Sequence, residues 1–292
     1  MKKSDLVLNL GQRLLLLFFT FLICFLLTIA CSFLIGKLLA GNIPATLRLS
    51  ALAQDVIAFI LPAVITAVMV TRRPAELLCL MQSPRLMVLL FVAAITAVSI
   101  PLQENIIYWN YNISLPESMK AFEELARQME DSANDSLKVL IGNGSVASLI
   151  LNILVIGVAA AFAEELLFRG CFLRLLTTAG VNGHIAVWTV AFFFSAMHMQ
   201  LFGFVPRLLL GAYFGYLLLW TKNLWVPFTA HLLNNVMYVV VACRQVSAGG
   251  ASALDEEPHT WSWWLTAISI VATAAALYGI YRAGRKNSTE EA

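Results

Sequence analysis

Long apolar segments dominate this sequence and limit what the chain can fold into. Eight segments, each with seventeen or more mostly apolar residues, follow one another along its 292 residues. A helix needs about 20 apolar residues to cross roughly 30 Å of hydrocarbon. The segments cover approximately residues 14–36, 51–71, 86–102, 146–170, 184–200, 201–220, 224–243 and 261–281. We therefore predict an all-α, polytopic membrane protein with about eight transmembrane helices.

The composition supports a membrane protein and excludes several other classes. Hydrophobic residues make up 60% of the chain and charged residues 12%, whereas about 25% of a soluble domain is charged. This excludes a soluble enzyme, a secreted disulfide scaffold and a disordered regulator. The net charge of +2 is too balanced to indicate nucleic acid as a partner. Because the chain is so apolar, its expected partner is the lipid bilayer. The five cysteines form no CxxC pair and are expected to be buried hydrophobic residues.

The positive charges predict how the chain is oriented in the membrane. The first apolar run, Leu14 to Ile35, is too long for a signal peptide, so we expect it to be a transmembrane span. With the N-terminus inside, 12 of the 19 Lys and Arg residues fall in cytoplasmic segments, as the positive-inside rule requires. The outer loop at about 103–145 has seven acidic residues against three basic ones. We predict that both termini are cytoplasmic.

Within this outer loop, apolar residues recur at helical spacing. Met119, Phe122, Leu125 and Met129 follow Pro116, which suits the first turn of a helix. This pattern predicts an amphipathic helix on the outer membrane interface. Such a helix could serve as a packing strut or as a lid over a site, and the sequence leaves both open.

Polar residues within the predicted spans concentrate in the second half of the chain. An ionisable side chain inside a span is unfavourable by about 2.5–3.5 kcal/mol on insertion scales, so it is a functional candidate. The candidates are Glu164, Glu165, Arg169, His198 and His231, with the amide Asn235. We expect them to line a polar intramembrane cavity.

Glu164 and His198 are predicted to form an acid/base pair. The midpoint between them is residue 181, inside the Gly- and Asn-containing turn at 179–183. In a helical hairpin both side chains would therefore lie at the same depth, about 25 Å from the turn at 1.5 Å per residue. This requires the fourth helix to continue to about Thr178. A carboxylate and an imidazole at one level suit general acid/base catalysis.

The remaining candidates can be read in two ways. Glu165 and Arg169 are spaced i, i+4 and can form an ion pair, either as part of a site or as an ordinary salt bridge at a helix end. His231 and Asn235 also share one helix face. They could offer two donors to a developing oxyanion, or act as a hydrogen-bonded contact between helices.

Three motifs on successive helices resemble a known family. Glu164-Glu165-x-x-x-Arg169, Phe194-x-x-x-His198 and His231-x-x-x-Asn235 occur in this order. The set resembles the CPBP family, the intramembrane glutamic endopeptidases of the CAAX-protease and bacteriocin-processing type. The resemblance covers roughly residues 146–240.

The resemblance implies a glutamic hydrolase with its site inside the bilayer. Glu164 and His198 would activate a water that attacks a peptide bond, His231 and Asn235 would bind the oxyanion, and Glu165 and Arg169 would organise the site. It implies a membrane-associated peptide or protein substrate, with a lipidated one as an option. It also implies a bacterial cytoplasmic (inner) membrane location. No metal or other cofactor is expected.

Alternative functions remain open from the sequence. Glu164, His198 and His231 could together bind zinc in a metal-dependent membrane protease, although no HExxH motif is present. A transporter using intramembrane Glu and His, or a non-catalytic scaffold, would also contain polar residues in spans.

The chain divides into three parts around the motifs. We expect residues 1–145 to contain three transmembrane helices and the outer amphipathic helix. Residues 146–243 would form a catalytic core of four helices, and residues 244–292 a C-terminal transmembrane helix and a cytoplasmic tail.

Overall fold

The computed structural model describes residues 6–142, 144–247 and 260–290. These residues form helices. Among them, extended backbone pairs only in an isolated antiparallel bridge between Leu6 and Thr71. The main helices are α1 (Leu10–Leu38), α2 (Ile43–Val70), α3 (Leu86–Val98), α4 (Ile100–Tyr111), α5 (Lys120–Ile141), α6 (Val146–Thr178), α7 (Gly183–Ala196), α8 (Phe204–Thr221), α9 (Trp225–Ser247) and α10 (Trp263–Glu290). Short helical turns lie at Pro74–Leu77, Glu117–Met119 and Leu201–Gly203. The all-α prediction is confirmed.

Six stretches in the described part of the chain are long and apolar enough to cross a membrane. They are α1, α2, α6, α8 together with the turn before it, α9 and most of α10. A seventh candidate is the pair α3 and α4, which meet at a bend of 48°. α7 has only 14 residues, or about 21 Å at 1.5 Å per residue, which is shorter than the hydrocarbon core. The polytopic membrane fold is confirmed, and the count of eight spans stays a prediction.

The third predicted span, 86–102, is interrupted in the structure. α3 ends at Val98, and α4 begins at Ile100 with Pro101 in its first turn. Proline has no backbone N–H and its ring clashes with the preceding turn, so it is tolerated at a helix start but breaks a continuous helix. The bend at this point therefore follows from Pro101.

The amphipathic helix predicted within residues 103–145 is present as α5. It begins at Lys120, after Pro116 and the short 3-10 turn at Glu117–Met119. Phe122 and Leu125 on this helix are 51% and 54% exposed, which leaves an apolar face available to the membrane interface. Its position at that interface stays a prediction.

Two small residues allow α7 and α8 to pack closely. A Cβ atom on Gly211 would lie 3.2 Å from Ala191 Cα, and one on Gly215 would lie 3.0 Å from Val187 Cγ1. The GxxxG spacing of these glycines is the pattern that lets helix backbones approach each other. This packing brings α8 against the helical hairpin that contains the candidate site.

That hairpin is formed by α6 and α7. As predicted, α6 continues past Arg169 to Thr178. Gly180 adopts a positive φ of 94° in the turn, a conformation that glycine accepts without strain. Asn182 then caps α7 by accepting hydrogen bonds from the backbone N–H groups of His184 and Ile185.

Candidate active site

The first motif lies between two irregular parts of α6. Ile153–Ala159 and Leu166–Leu173 are π-helical, whereas Ala160–Glu165 between them is α-helical. A π-turn adds a residue to the helical turn, rotates the side chains that follow it, and is frequent at functional sites. Glu164 and Glu165 stand at the junction between the two geometries.

Glu165 and Arg169 form a buried ion pair. Both side chains are 0% exposed, and Arg169 Nη1 lies 2.7 Å from Glu165 Oε1. Arg169 Nη2 also donates to the backbone oxygen of Gly211 on α8, at 3.0 Å. The predicted pairing is therefore present, but deep in the core and not at a solvated helix end. A buried pair of this kind is retained only with good geometry and additional hydrogen bonds.

His231 on α9 lies between the two glutamates. Its Nδ1 atom is 2.9 Å from Glu165 Oε1, and its Nε2 atom is 3.8 Å from Glu164 Oε2. A carboxylate only accepts hydrogen bonds, so Nδ1 is the donor to Glu165 and Nε2 is directed towards Glu164. The i, i+4 spacing pairs Glu165 with Arg169 alone and gives no indication that both carboxylates approach one imidazole.

Aromatic rings enclose this imidazole. Phe214 stacks on His231 with ring centroids 4.9 Å apart, and Phe194 meets it edge-on at 5.9 Å. The Arg169 guanidinium lies 4.3 Å from the centre of the Phe194 ring. These contacts hold the ion pair and the imidazole in their observed orientation.

His198 lies just beyond the end of α7. Its Nδ1 atom is 2.9 Å from the backbone oxygen of Phe194. The carbonyl can only accept, so Nδ1 carries the hydrogen and neutral His198 keeps a lone pair on Nε2. His198 interacts electrostatically with Glu164 and His231, although no hydrogen bond joins it to either of them in the described structure.

Asn235 contacts the helix opposite. Its side-chain amide donates to the backbone oxygen of Ile156, in the first π-helical part of α6, at 3.0 Å. This is the interhelical contact that the sequence left open as an alternative. An amide nitrogen has two hydrogens, and this bond uses one of them.

One further acidic residue, Asp55, belongs to this neighbourhood. It lies in the π-helical turn Gln54–Ile60 of α2, is 4% exposed, and interacts electrostatically with Glu164. Its Oδ2 atom is buried without a hydrogen-bond partner in the structure as described. The sequence contained a usable signal, an ionisable residue within an apolar span, but its spacing to the other motifs gave no indication that it lies near them.

Several buried oxygen atoms of the site are not hydrogen-bonded within the described part of the chain. They include Glu164 Oε2 and Glu165 Oε2. Buried polar atoms are nearly always paired in folded proteins, so such exceptions suggest a role in function. Across the described ranges, no three His, Cys, Asp or Glu side chains are arranged so that they could hold a metal ion.

An apolar groove opens beside the site. It has a volume of about 470 Å³ and lies between α1 and the hairpin of α6 and α7. Phe168, Phe193 and Met197 are among the residues that line it. Met197 directly precedes His198, so one end of the groove adjoins the turn that holds this histidine.

The comparison with protein families matches the region that contains these residues. Residues 146–237 match the Rce1-like family of type II CAAX prenyl endopeptidases. This range includes all three motifs, from Glu164 to Asn235, and confirms the resemblance inferred from them. The matched family is described as one of endopeptidases.

A curated relative supports the same region. The uncharacterized protein YpbD of Bacillus subtilis (strain 168) is 33% identical over 99 residues, which is 32% of this chain and 46% of YpbD. The chain thus matches about half the length of that relative. No solved structure matches the chain. Together with the apolar helices, the Rce1-like region identifies an integral membrane protein.

Proposed function

We propose that this protein is an intramembrane glutamic endopeptidase that hydrolyses a peptide bond of a membrane-associated substrate. The observation that carries the proposal is the position of His231, which contacts Glu165 and faces Glu164 within the Rce1-like region. A carboxylate that has a buried oxygen without a hydrogen-bond partner, and that lies near two imidazoles, is well suited to activate water.

In the proposed reaction Glu164 and His198 activate the water. Glu164 Oε2 accepts a proton from water, and His198 Nε2 orients the same molecule through its lone pair. The water oxygen bonds to the carbonyl carbon, and the carbonyl electron pair moves onto its oxygen. The carbon–nitrogen bond then breaks as the proton passes from Glu164 to the leaving amine. General acid/base catalysis of this kind contributes about 10²–10⁴-fold to the rate.

His231 and Asn235 are proposed to stabilise the negative oxygen of the intermediate. Protonated His231 would donate from Nε2, and its Nδ1–H···Glu165 bond would stabilise the positive charge. Asn235 would donate the amide hydrogen that Ile156 does not accept. In this proposal Glu165 and Arg169 act through His231, because their hydrogen bonds fix its ring.

A zinc-dependent protease would use overlapping residues. Its candidate ligands Glu164, His198 and His231 come from three different elements, and His231 Nδ1 is already bonded to Glu165. Metal analysis of the purified protein, with activity measured in a strong chelator, separates zinc catalysis from glutamic catalysis.

Two non-proteolytic alternatives, a scaffold and a transporter, make a different prediction. Neither uses Glu164 and His198 to activate water for hydrolysis. A scaffold would therefore keep its function in Glu164→Ala and His198→Ala variants, and a transporter would move a solute without any peptide product.

The substrate is proposed to be a peptide or protein at the membrane. The apolar groove beside Met197 offers a place for a lipid chain attached to such a substrate. We further propose that residues 146–243 form the catalytic core, with 1–145 and 244–292 flanking it. The proposed location is a bacterial inner membrane with both termini in the cytoplasm.

Peptide analysis in cells tests the proposal and identifies the substrate. Membrane peptides are compared by mass spectrometry between cells with the wild-type protein and cells with Glu164→Gln. The exposed Glu117, on the short turn before α5, provides the matched control Glu117→Gln. We expect the same cleaved peptides with wild type and Glu117→Gln, and their absence with Glu164→Gln. Identical peptides with Glu164→Gln would contradict the assignment.

A further inference from the structure

His198 lies in a turn that combines local hydrogen bonds, such as Met199 N–H to Ala196 O at 3.0 Å, with an unfavourable backbone conformation. α7 ends at Ala196, and Met199 has a positive φ of 56°. A residue with a side chain rarely adopts this conformation, which persists only where surrounding contacts impose it. We therefore expect the turn that holds His198 to depend on contacts with other elements in addition to its own hydrogen bonds.

The outer helix α5 contacts this turn in two places. Gln200 Nε2 donates to Glu130 Oε1 at 3.1 Å. The Arg127 guanidinium lies 4.0 Å from the centre of the Phe202 ring. Residues 127 and 130 are three apart and so share one face of α5. The contacted residues, Gln200 and Phe202, follow His198 by two and four positions in the sequence.

Both contacts are secured by a second interaction. Arg127 is bonded to Glu123 by two nitrogens, at 2.9 and 3.2 Å, which orients its guanidinium. Gln200 accepts from Arg207 of α8 through the opposite end of its amide. Arg207 in turn interacts electrostatically with both Glu130 and Glu164. Glu130 thus belongs to a hydrogen-bonded chain that runs from the outer helix towards the site.

We propose that Glu130 and Arg127 are positioning residues that hold His198 in place for catalysis. The inference rests on the proposed function, because it assumes that His198 acts on the water. Both residues lie outside the region that matches the protease family. The outer helix would thus be part of the catalytic apparatus, although it contributes no group that touches substrate.

The test compares variants that remove these contacts with variants that keep them. Glu130→Ala and Arg127→Ala remove them, whereas Glu130→Gln keeps an oxygen that can accept from Gln200. Lys120→Ala is the control, because Lys120 is an exposed residue of the same helix that pairs only with Glu117 among the described residues. Full-length proteins are used for kcat and KM on a cleaved peptide.

A second measurement reports on His198 without relying on activity. The rate at which diethyl pyrocarbonate modifies His198 is followed by mass spectrometry, because this reagent reacts at a free imidazole nitrogen. The exposed His184, at the far end of α7, serves as the internal reference for a folded protein.

We expect Glu130→Ala and Arg127→Ala to lower kcat by about 10–100-fold with little change in KM, as misplacement of a reacting group by about 1 Å can do. We expect His198 modification to change at least threefold in both, while His184, Lys120→Ala and Glu130→Gln stay near wild type. Unchanged His198 modification in both alanine variants would overturn the positioning role. If His198 modification changes in the alanine variants but the wild type cleaves no peptide, the positioning contacts are supported and the proposed function is rejected.

Discussion

A chain of bonds between buried groups determines which nitrogen of His231 faces the site. Arg169 donates hydrogen bonds to the backbone oxygen of Gly211 and to Glu165. Glu165 in turn accepts a hydrogen bond from His231 Nδ1. The sequence indicated the pairing of Glu165 with Arg169 from their spacing alone. It could not indicate the bond to His231, because that residue comes from another helix and no spacing rule links the two.

Asn235 provides a direct test at the residue scale. We expect Asn235→Ala to lower kcat by about 10²–10³-fold with little change in KM, which is typical of a lost oxyanion donor. Its neighbour gives the matched control, because Asn234 points about 100° away on the same helix. Kinetics of both variants on one peptide make the comparison. If Asn234→Ala and Asn235→Ala behave alike, Asn235 is an interhelical contact and no more.

Among the elements, the pair α7 and α8 shows how packing supports the site. A Cβ on Gly211 would meet the backbone of Ala191, and the Gly211 carbonyl accepts a hydrogen bond from Arg169. Helix approach and site geometry are therefore coupled at this residue. The sequence predicted the close packing from the GxxxG pattern, but the carbonyl contact depends on how the helices are arranged in space.

Gly211→Leu is expected to separate α7 from α8 and lower the unfolding temperature of the purified protein. A Cβ there would lie 3.2 Å from a backbone atom, which cannot move aside easily. Gly279→Leu in α10 is the control, because a Cβ at that position meets nothing within 4 Å. The measurement is thermal unfolding in detergent. Equal unfolding temperatures for the two variants would contradict the packing argument.

The amphipathic helix α5 has two acidic residues whose pKa values shift in opposite directions. Burial raises the pKa of Glu130, and the nearby Asp131 adds to this while Arg207 opposes it. The backbone N–H of Leu115 and the side chain of Arg127 lower the pKa of Glu123. Protonated Glu130 therefore contributes to folding stability below its unfolded pKa of about 4.3. This contribution is lost as the pH rises through its pKa in the folded state. Ionised Glu123 contributes to folding stability above about pH 4.3. This contribution is lost as the pH falls through its pKa in the folded state.

Two variants separate these contributions. Relative to wild type, Glu130→Gln should gain stability as the pH rises above about 4.3, because it cannot ionise. Glu123→Gln should lose stability relative to wild type below that pH, as the pH rises from the lowered folded pKa of Glu123 to about 4.3. Unfolding temperatures measured from below to above pH 4.3 test both signs. Parallel curves for the two variants would show that the shifts do not have opposite directions.

At the scale of the whole molecule, the apolar segments determined most of what could be predicted. Each of the eight predicted segments is helical in the structure, because a chain with so little charge must satisfy its backbone internally. The ends of the segments were less predictable. The third is bent at Pro101, and the fifth stops at Ala196, where Ser195 donates to the backbone oxygen of Phe204.

The site could be predicted only in part, for the same reason. Glu164, His198 and His231 could be predicted because they are ionisable residues within spans. Such residues are energetically unfavourable in a membrane and are therefore functional candidates. Their mutual contacts, the nearby Asp55 and the contribution of α5 depend on tertiary packing. Sequence spacing is informative within one helix but not between helices.

The orientation of the whole molecule can be tested by cysteine labelling. Arg73→Cys and Lys120→Cys are introduced separately into a Cys31→Ser background, since the other four cysteines are buried. The positive-inside rule predicts that a membrane-impermeant thiol reagent reaches residue 120 from outside and residue 73 only from the cytoplasm. Labelling of both positions from the same side would contradict the predicted topology.

The central claim is that Glu164 and His198 activate water for peptide hydrolysis, and purified protein tests it most directly. Turnover of a cleaved membrane peptide is measured for wild type, Glu164→Gln and His198→Ala, in the presence of a strong chelator. We expect wild type to remain active and both variants to be inactive while they are expressed and inserted normally. Normal turnover by Glu164→Gln, or loss of wild-type activity in the chelator, would contradict the account.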